Sequence, residues 1–484
     1  MRRLLVLVTL VALALGGYAA ADIADRVPGV LTTAEAKAAR TAVPDTTGAD
    51  EPPVTVPTAS PADVLEGDPV GATAPTSTGL TAALREVLAD PHLGRSVGIT
   101  VRDGVTGEEI YGKGTTVGRV PASTAKLLTA AAVGSTLDMT DTMTTTVVQP
   151  TEGELVLVAS GDTMLAPGRG RPGQTEGRAG LADLAQQVAD SLGADKDAGT
   201  TVRSRLTLDT SYARGPRYAP TWDMTDVGAG YTQGVAMIGL AGQRPTPGVP
   251  SPTVPEDVVL EAFRVQLKRV GVIATVPEGA GTAKAAAPAG ATEIAAVESA
   301  SYRDVLALAL DDSDNALTEN LARQASVAAG GGTDFADSVA LVRQVLQENG
   351  IDLTGVTLRD SCGLSSGQAI PVRVLGDVLG LALGEQASLP DLRDTIAALP
   401  VAGLDGTLHD RFLTPDSHDA AGIARAKTGT LTGSSGLAGT TVTRDGRPLT
   451  FAIVAGDVPD SVGTLAARAA LDRVVAALTE CGCR

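Results

Sequence analysis

The sequence predicts an α/β protein of the α+β kind: an antiparallel sheet flanked by helices, with a large inserted region. Three observations predict it. Apolar and polar residues alternate in strand-length runs near both ends of the chain, helical spacing recurs beside those runs, and a long block with its own strand-like segments lies between them. At 484 residues the chain exceeds one ordinary domain.

In order, Met1-Arg2-Arg3 precedes an apolar run from Leu4 to Leu15 and small residues ending at Ala21. That is the layout of an export signal or a membrane anchor over 1–21, and either places the remainder outside the cytoplasm. Residues 22–79, with eight prolines and many Thr, Ala and acids, read as a flexible stalk. The first part of the main domain follows at 80–139: "LTAALREVLAD" as a helix, "SVGITVRDGVTGEEIYGKG" as two strands about an Asp103-Gly104 turn, then a helix after Pro121. Residues 140–295 form the inserted region. Its runs "GELVLVASGD" and "SRLTLDTSY" suggest one or two small modules, folding as an appendage outside the main sheet. The second part, 296–484, holds helices on either side of Ser313-Asp314-Asn315. Three strands joined by short turns come next ("ARAKTGTLT", "GLAGTTVTRDG", "PLTFAIVAGD"), then a closing helix.

Composition narrows the function. A formal charge of −18 opposes the phosphate backbone, so nucleic acid is not an expected partner. Aromatics make up only 2%, with Trp222 the single tryptophan, which argues against stacking on sugars or bases. The three cysteines, Cys362, Cys481 and Cys483, lack the spacing and nearby histidines of a metal site, and no cofactor motif occurs. In an oxidising compartment Cys362 can pair with one of the two terminal cysteines, leaving one over.

Three short motifs carry the chemistry. Ser123-Thr124-Ala125-Lys126 puts a hydroxyl at a helix N-terminus with an amine one turn along on the same face; a neutral lysine there can take the hydroxyl proton, supplying nucleophile and base without histidine. Taken alone it reads as a helix cap and a solvated lysine. Ser313-Asp314-Asn315 falls between two helices, where Ser313 can relay a proton and Asn315 can hold a substrate amide or orient Lys126; taken alone it is an N-cap. Lys427-Thr428-Gly429-Thr430 falls on an edge-like strand, where Lys427 and the two hydroxyls can bind a carboxylate while Gly429 lets substrate approach the backbone. For Lys126 to act as base near neutrality, burial and the like charge of Lys427 must depress its pKa.

Together these motifs resemble the signature set of the penicillin-recognising serine enzymes. The 187 positions from Lys126 to Ser313, with "LVLVASGDTML", "LTLDTSYARGP", "RDSCGLSSGQAIP" and "AGLDGTL", resemble the D-alanyl-D-alanine carboxypeptidase/endopeptidase branch, the class C low-molecular-mass penicillin-binding proteins. The resemblance implies the transpeptidase fold shared with β-lactamases, and an enzyme acting on peptidoglycan stem peptides ending in D-Ala-D-Ala and acylated by β-lactams. It implies Ser123 as nucleophile, Lys126 as base and Ser313 as proton relay. Asn315, Lys427, Thr428, Gly429 and Thr430 would bind substrate, and the N–H groups of Ser123 and Thr430 would form the oxyanion hole. "DSCGLS" departs from the expected Gly-Ser before Gly363, which bears on local packing or a disulfide only.

Rival readings are weaker. Gly363-Leu364-Ser365-Ser366-Gly367 fits a hydrolase elbow, but Pro371 interrupts the helix that should follow, although His409 and His418 lie downstream. A β-lactamase or esterase of the same fold would not resemble a chain with so long an insertion, and a noncatalytic wall-binding protein would not need all three motifs. His92 reads as a surface turn residue.

Overall fold

The computed structural model describes residues 72–279, 286–385 and 387–483. The expected signal or anchor segment at 1–21 and the stalk through residue 71 lie outside the described residues. Helix α1 (Ser77–Leu84) opens slightly ahead of the expected start, capped by the Thr76 hydroxyl, which accepts from Gly79 N. Among the described residues no helix is long and apolar enough to cross a membrane.

Strands β1 (Ser96–Asp103) and β2 (Glu109–Lys113) form the expected hairpin, its turn fixed by the Asp103 carboxylate accepting from the N–H groups of Val105 and Thr106. The two-residue strand β3 (Gly118–Arg119) leads to Pro121 and helix α2 (Lys126–Thr136). Arg119 fastens this lead-in: its guanidinium donates to the carbonyls of Ser96, Val97, Gly114 and Val117. Residues Lys126 to Val133 of α2 are all buried, so the helix is central rather than half-exposed.

The inserted region contributes β4 (Thr142–Gln149), β5 (Glu154–Val158), helix α3 (Leu181–Leu192), β6 (Val202–Asp209), the short α4 (Met224–Gly228), α5 (Pro255–Arg269), β7 (Val272–Thr275) and β8 (Thr292–Ser301). Its strands form one sheet in the order β7-β6-β5-β4-β8. The pairs β5/β6 and β6/β7 are parallel. Parallel neighbours require crossovers, and α3 and α5 lie in them. α3 is amphipathic, burying Leu181, Leu184, Ala185, Val188 and Ala189 on the sheet, and closes at Gly193 in the left-handed region. One hydrophobic core unites the strands of this sheet with α3 and α5, and β8 runs across residue 295.

Beyond it come α6 (Tyr302–Asp311), α7 (Asn315–Ala328), α8 (Phe335–Glu348), β9 (Ile370–Pro371), α9 (Val372–Ala382) and α10 (Pro390–Ala397). Then β10 (Arg425–Leu431), β11 (Ser434–Val442) and β12 (Pro448–Gly456) complete a second sheet in the order β10-β11-β12-β1-β2, antiparallel throughout, and α11 (Thr464–Thr479) packs on it. This places β10 at an edge. β3 and β9 pair separately.

The cysteine expectation is corrected here. Cys481 and Cys483 are joined to each other, and Cys362 is a buried free thiol. Cys362 packs in the core of the inserted region, whereas Cys481 packs in the separate core beneath α11, so they cannot meet. His92 sits in a surface turn, its ring 2.7 Å from the Asp90 carboxylate.

Candidate active site

Ser123 lies in a 3-10 turn, Ala122–Ala125, and the α-helix begins only at Lys126. The expected helix N-terminus is therefore one turn later than the serine, because Ala122 takes a left-handed φ of 46° immediately after Pro121. Two glycines let neighbouring segments close on this turn. A Cβ at Gly363 (φ 90°) would fall 1.9 Å from the Ala122 carbonyl oxygen, and one at Gly429 would fall 2.6 Å from that of Pro121. Gly429 thus makes room for the protein's own backbone at Pro121, a role the sequence did not suggest for it.

Lys126 is fully buried, and its Nζ has three partners: Ser123 Oγ at 2.9 Å, Asn315 Oδ1 at 2.6 Å and the Cys362 carbonyl oxygen at 2.9 Å. The Asn315 amide is oriented by its Nδ2, which donates to the Tyr231 carbonyl at 2.8 Å. Two of the three partners of Nζ can only accept. An uncharged amine spends its two protons on them and keeps a lone pair for the third, the hydroxyl, which alone can donate. Burial holds the Lys126 amine below the ordinary lysine range, opposed by Cys362, Asp360, Asp314 and Glu319. Lys427, also buried, is pushed well below that range by burial and then by the charge of Lys126, with Asp311 and Asp312 opposing. The expected like-charge pressure between the two lysines therefore bears on Lys427, while burial dominates at Lys126.

Beneath Lys126, Glu319, Asp360 and Cys362 bring two carboxylates and a thiol together, a set that could hold a metal by composition. Their acceptor sites are already engaged: Asp360 accepts from Gly363 N, Ser365 N, Trp222 Nε1 and Gln368 Nε2, and Glu319 from Ser361 N. Burial raises the Glu319 carboxyl to about 8, so it is largely uncharged at neutral pH. The cluster works as a brace holding the Cys362 carbonyl on Lys126. The "DSCGLS" departure thus belongs to the site through its backbone, where only packing was expected to be affected.

Ser123, Ser313, Asn315, Thr428 and Thr430 line one cleft of about 950 Å³. Ser313 has a left-handed φ of 57° between α6 and α7, and the Asp314 carboxylate caps α7 by accepting from Leu317 N. On β10, Thr428 Oγ1 donates to Thr407 Oγ1 at 3.0 Å. Lys427 and Gly429 lie on the same strand but not on the cleft surface. The rival serine, Ser365, is buried, its hydroxyl accepts from Thr221 Oγ1 at 2.7 Å, and it is not among the residues lining the cleft.

Sequence reasoning missed the carbonyls of Cys362 and Tyr231, and also Arg244 and Thr407. Backbone oxygens leave no residue signature, although "DSCGLS" and "AGLDGTL" flagged two of the segments. Tyr231 and Arg244 come from the inserted region, and with Gly230, Ala241 and Pro245 they form a wall of the cleft. The insertion stands outside the main sheet, but it is not an appendage to the site.

The D-Ala-D-Ala carboxypeptidase 3 (S13) family model matches residues 80–243 and 243–478. Carboxypeptidase DacB from Mycolicibacterium smegmatis is 36% identical over 438 residues, spanning 89% of this chain and 90% of that protein. A carboxypeptidase from Mycobacterium tuberculosis is 35% identical over 422 residues, spanning 86% and 87%. In fold, the chain is similar to penicillin binding protein 4 (dacB) from Haemophilus influenzae, with a TM-score of 0.63 and 18% identity over 82% of this chain and 98% of that one.

Proposed function

The chain belongs to the D-Ala-D-Ala carboxypeptidase 3 (S13) family, and from that premise we propose that it cleaves peptidoglycan stem peptides through an acyl-enzyme on Ser123. It is a serine-type carboxypeptidase. The observation that carries the residue assignment is the partner set of Lys126: two obligatory acceptors and one hydroxyl.

Ser123 Oγ attacks the carbonyl carbon of the penultimate D-alanine as its proton passes to the neutral Lys126 amine. The backbone N–H groups of Ser123 and Thr430 receive the oxyanion. The C–N bond then breaks, and the proton held on Lys126 passes through the Ser313 hydroxyl to the departing amine, leaving Lys126 neutral and Ser313 protonated again. Asn315 positions the substrate and Lys126, Lys427 supplies positive field, and Thr428 and Thr430 hold the terminal carboxylate. Water releases the ester, regenerating Ser123. A β-lactam acylates the same hydroxyl and leaves slowly. The same machinery serves an endopeptidase when the leaving amine belongs to a neighbouring stem peptide. Such a substrate lies outside the cytoplasm, in keeping with the export or anchor pattern at 1–21 and a spacer at 22–79. In domain terms, 80–139 and 296–484 form the catalytic unit, and 140–295 the insertion that completes its cleft.

Incubation with a stem pentapeptide and with a cross-linked dimer, followed by mass analysis, tests this reading: loss of terminal D-alanine or separation of the dimer is expected. Intact-mass analysis with benzylpenicillin should show one adduct, absent in Ser123→Ala and retained in Ser365→Ala. An adduct that persists in Ser123→Ala overturns the assignment.

A further inference from the structure

The inserted region holds the second motif as well as walling the cleft. The Arg244 side chain is only 12% exposed and meets three carboxylates: Glu176 of the insertion, Asp312 at 2.9 Å and Asp314 at 3.0 Å. The last two flank Ser313, the residue held at φ 57°. A serine in the left-handed region is strained and persists only where its surroundings fix it. Asp314 divides its carboxylate between two tasks, with Oδ1 capping α7 through Leu317 N and Oδ2 receiving Arg244 Nε. On the other side of the turn there is no slack, since a Cβ at Gly406 would fall 2.0 Å from the Asp311 carboxylate. Arg244 is itself seated by backbone bonds, its N–H to Ala241 O, and Ala241 N to Leu165 O.

We propose that Arg244 is a positioning residue for the reaction, clamping Asp312 and Asp314 so that the Ser313 turn, and with it Asn315, stays aimed at Lys126 and Ser123. This rests on the reading of Ser313 and Asn315 given above. Although Arg244 lines the cleft, one guanidinium faced by three carboxylates leaves no positive field for an anionic substrate, so it acts through the turn rather than on the substrate. A second consequence follows. Asp314 is among the groups that favour the charged form of Lys126, together with Cys362, Asp360 and Glu319, and Lys427 is the neighbouring cation. Arg244 neutralises Asp314, which helps Lys126 stay unprotonated.

The test is stopped-flow acylation of the full chain by a chromogenic β-lactam across pH, resolving the acylation rate constant from ligand affinity. Arg244→Gln should lower the rate constant by about tenfold or more with affinity nearly unchanged, and should move the rising limb to higher pH. Arg244→Lys, which keeps the charge but loses the fork, should recover part of the rate and most of the limb position. A folded Arg244→Gln with the wild-type rate constant and limb, or with a change confined to affinity, overturns the proposal. Should Arg244→Gln not fold, Asp312→Asn removes one anchor of the clamp at a half-exposed carboxylate, and an unaltered rate constant there overturns it equally. An adduct on Ser123→Ala would instead sink the underlying reading, which keeps the two failures apart.

Discussion

Lys126 Nζ lies 2.6 Å from Asn315 Oδ1, although 189 positions of sequence separate them. The Tyr231 carbonyl, by accepting from Asn315 Nδ2, decides that the oxygen and not the nitrogen of the amide faces the lysine. Asn315→Asp keeps the size of the side chain, gives up the donor to the Tyr231 carbonyl and adds a negative charge beside the amine. That charge favours the ammonium, so the acylation limb should move to higher pH and the rate at pH 7 should fall by about tenfold for each unit of movement. A limb that stays in place in stopped-flow acylation of Asn315→Asp would show that this contact does not tune Lys126.

Asp162, in "LVLVASGDTML", is buried and its carboxyl is raised by burial to about 7, although Oδ1 accepts from Met164 N. Its folded pKa lies above its unfolded value of 3.8. The folded state therefore holds the extra proton, and the associated stability is present below pH 4 and lost as pH rises through 7. Asp162→Asn keeps the acceptor and abolishes the charge. Relative to wild type, its stability should gain between pH 4 and pH 8 by roughly 4 kcal/mol, about 1.4 kcal/mol for each unit between 3.8 and about 7, then stay level. Equal pH dependence of denaturant unfolding in both proteins would contradict this.

Cys362 is fully buried, and its thiol is pushed well above the ordinary range, mainly by burial. Its contribution to the site is a carbonyl. A thiol-reactive reagent should leave it unmodified in the native protein and label it on unfolding, and Cys362→Ser should acylate within about threefold of wild type. Rapid native labelling, or loss of acylation in a folded Cys362→Ser, would show that the sulfur matters.

The parts of the fold legible in the sequence are those with local periodicity. The β1–β2 hairpin, the β10–β12 meander and the helices around Ser313 each pair or pack with near neighbours, so alternation and turn residues reveal them. The sheet of the insertion was legible only in fragments such as β5 and β6. Its parallel pairs join segments tens of residues apart through Pro/Gly-rich crossovers, and no local pattern announces such a partner. Within the site, Ser123, Lys126, Ser313, Asn315, Thr428 and Thr430 were readable as motifs because chemistry demands those side chains at short spacing. What escaped was support from a distance. The Cys362 and Tyr231 carbonyls carry no side-chain signature, Arg244 finds its carboxylates from about seventy positions away, and Gly429 gave no sign that its missing side chain serves the Pro121 carbonyl.

The most direct test of the central claim, that Lys126 is the neutral base for Ser123, is the pH dependence of acylation in wild type and Lys126→Arg. A free lysine titrates near 10.4, at about that pH a solvated amine would begin to serve, and burial moves Lys126 below its ordinary range. The wild-type acylation rate should accordingly rise with pH along a limb well below the free-lysine value. Arginine keeps the charge but cannot give up its proton, so Lys126→Arg should bind the β-lactam yet acylate slower by about a thousandfold, in line with loss of a general base. Acylation by a folded Lys126→Arg at near the wild-type rate would contradict the account, because the serine proton would then be leaving by another route.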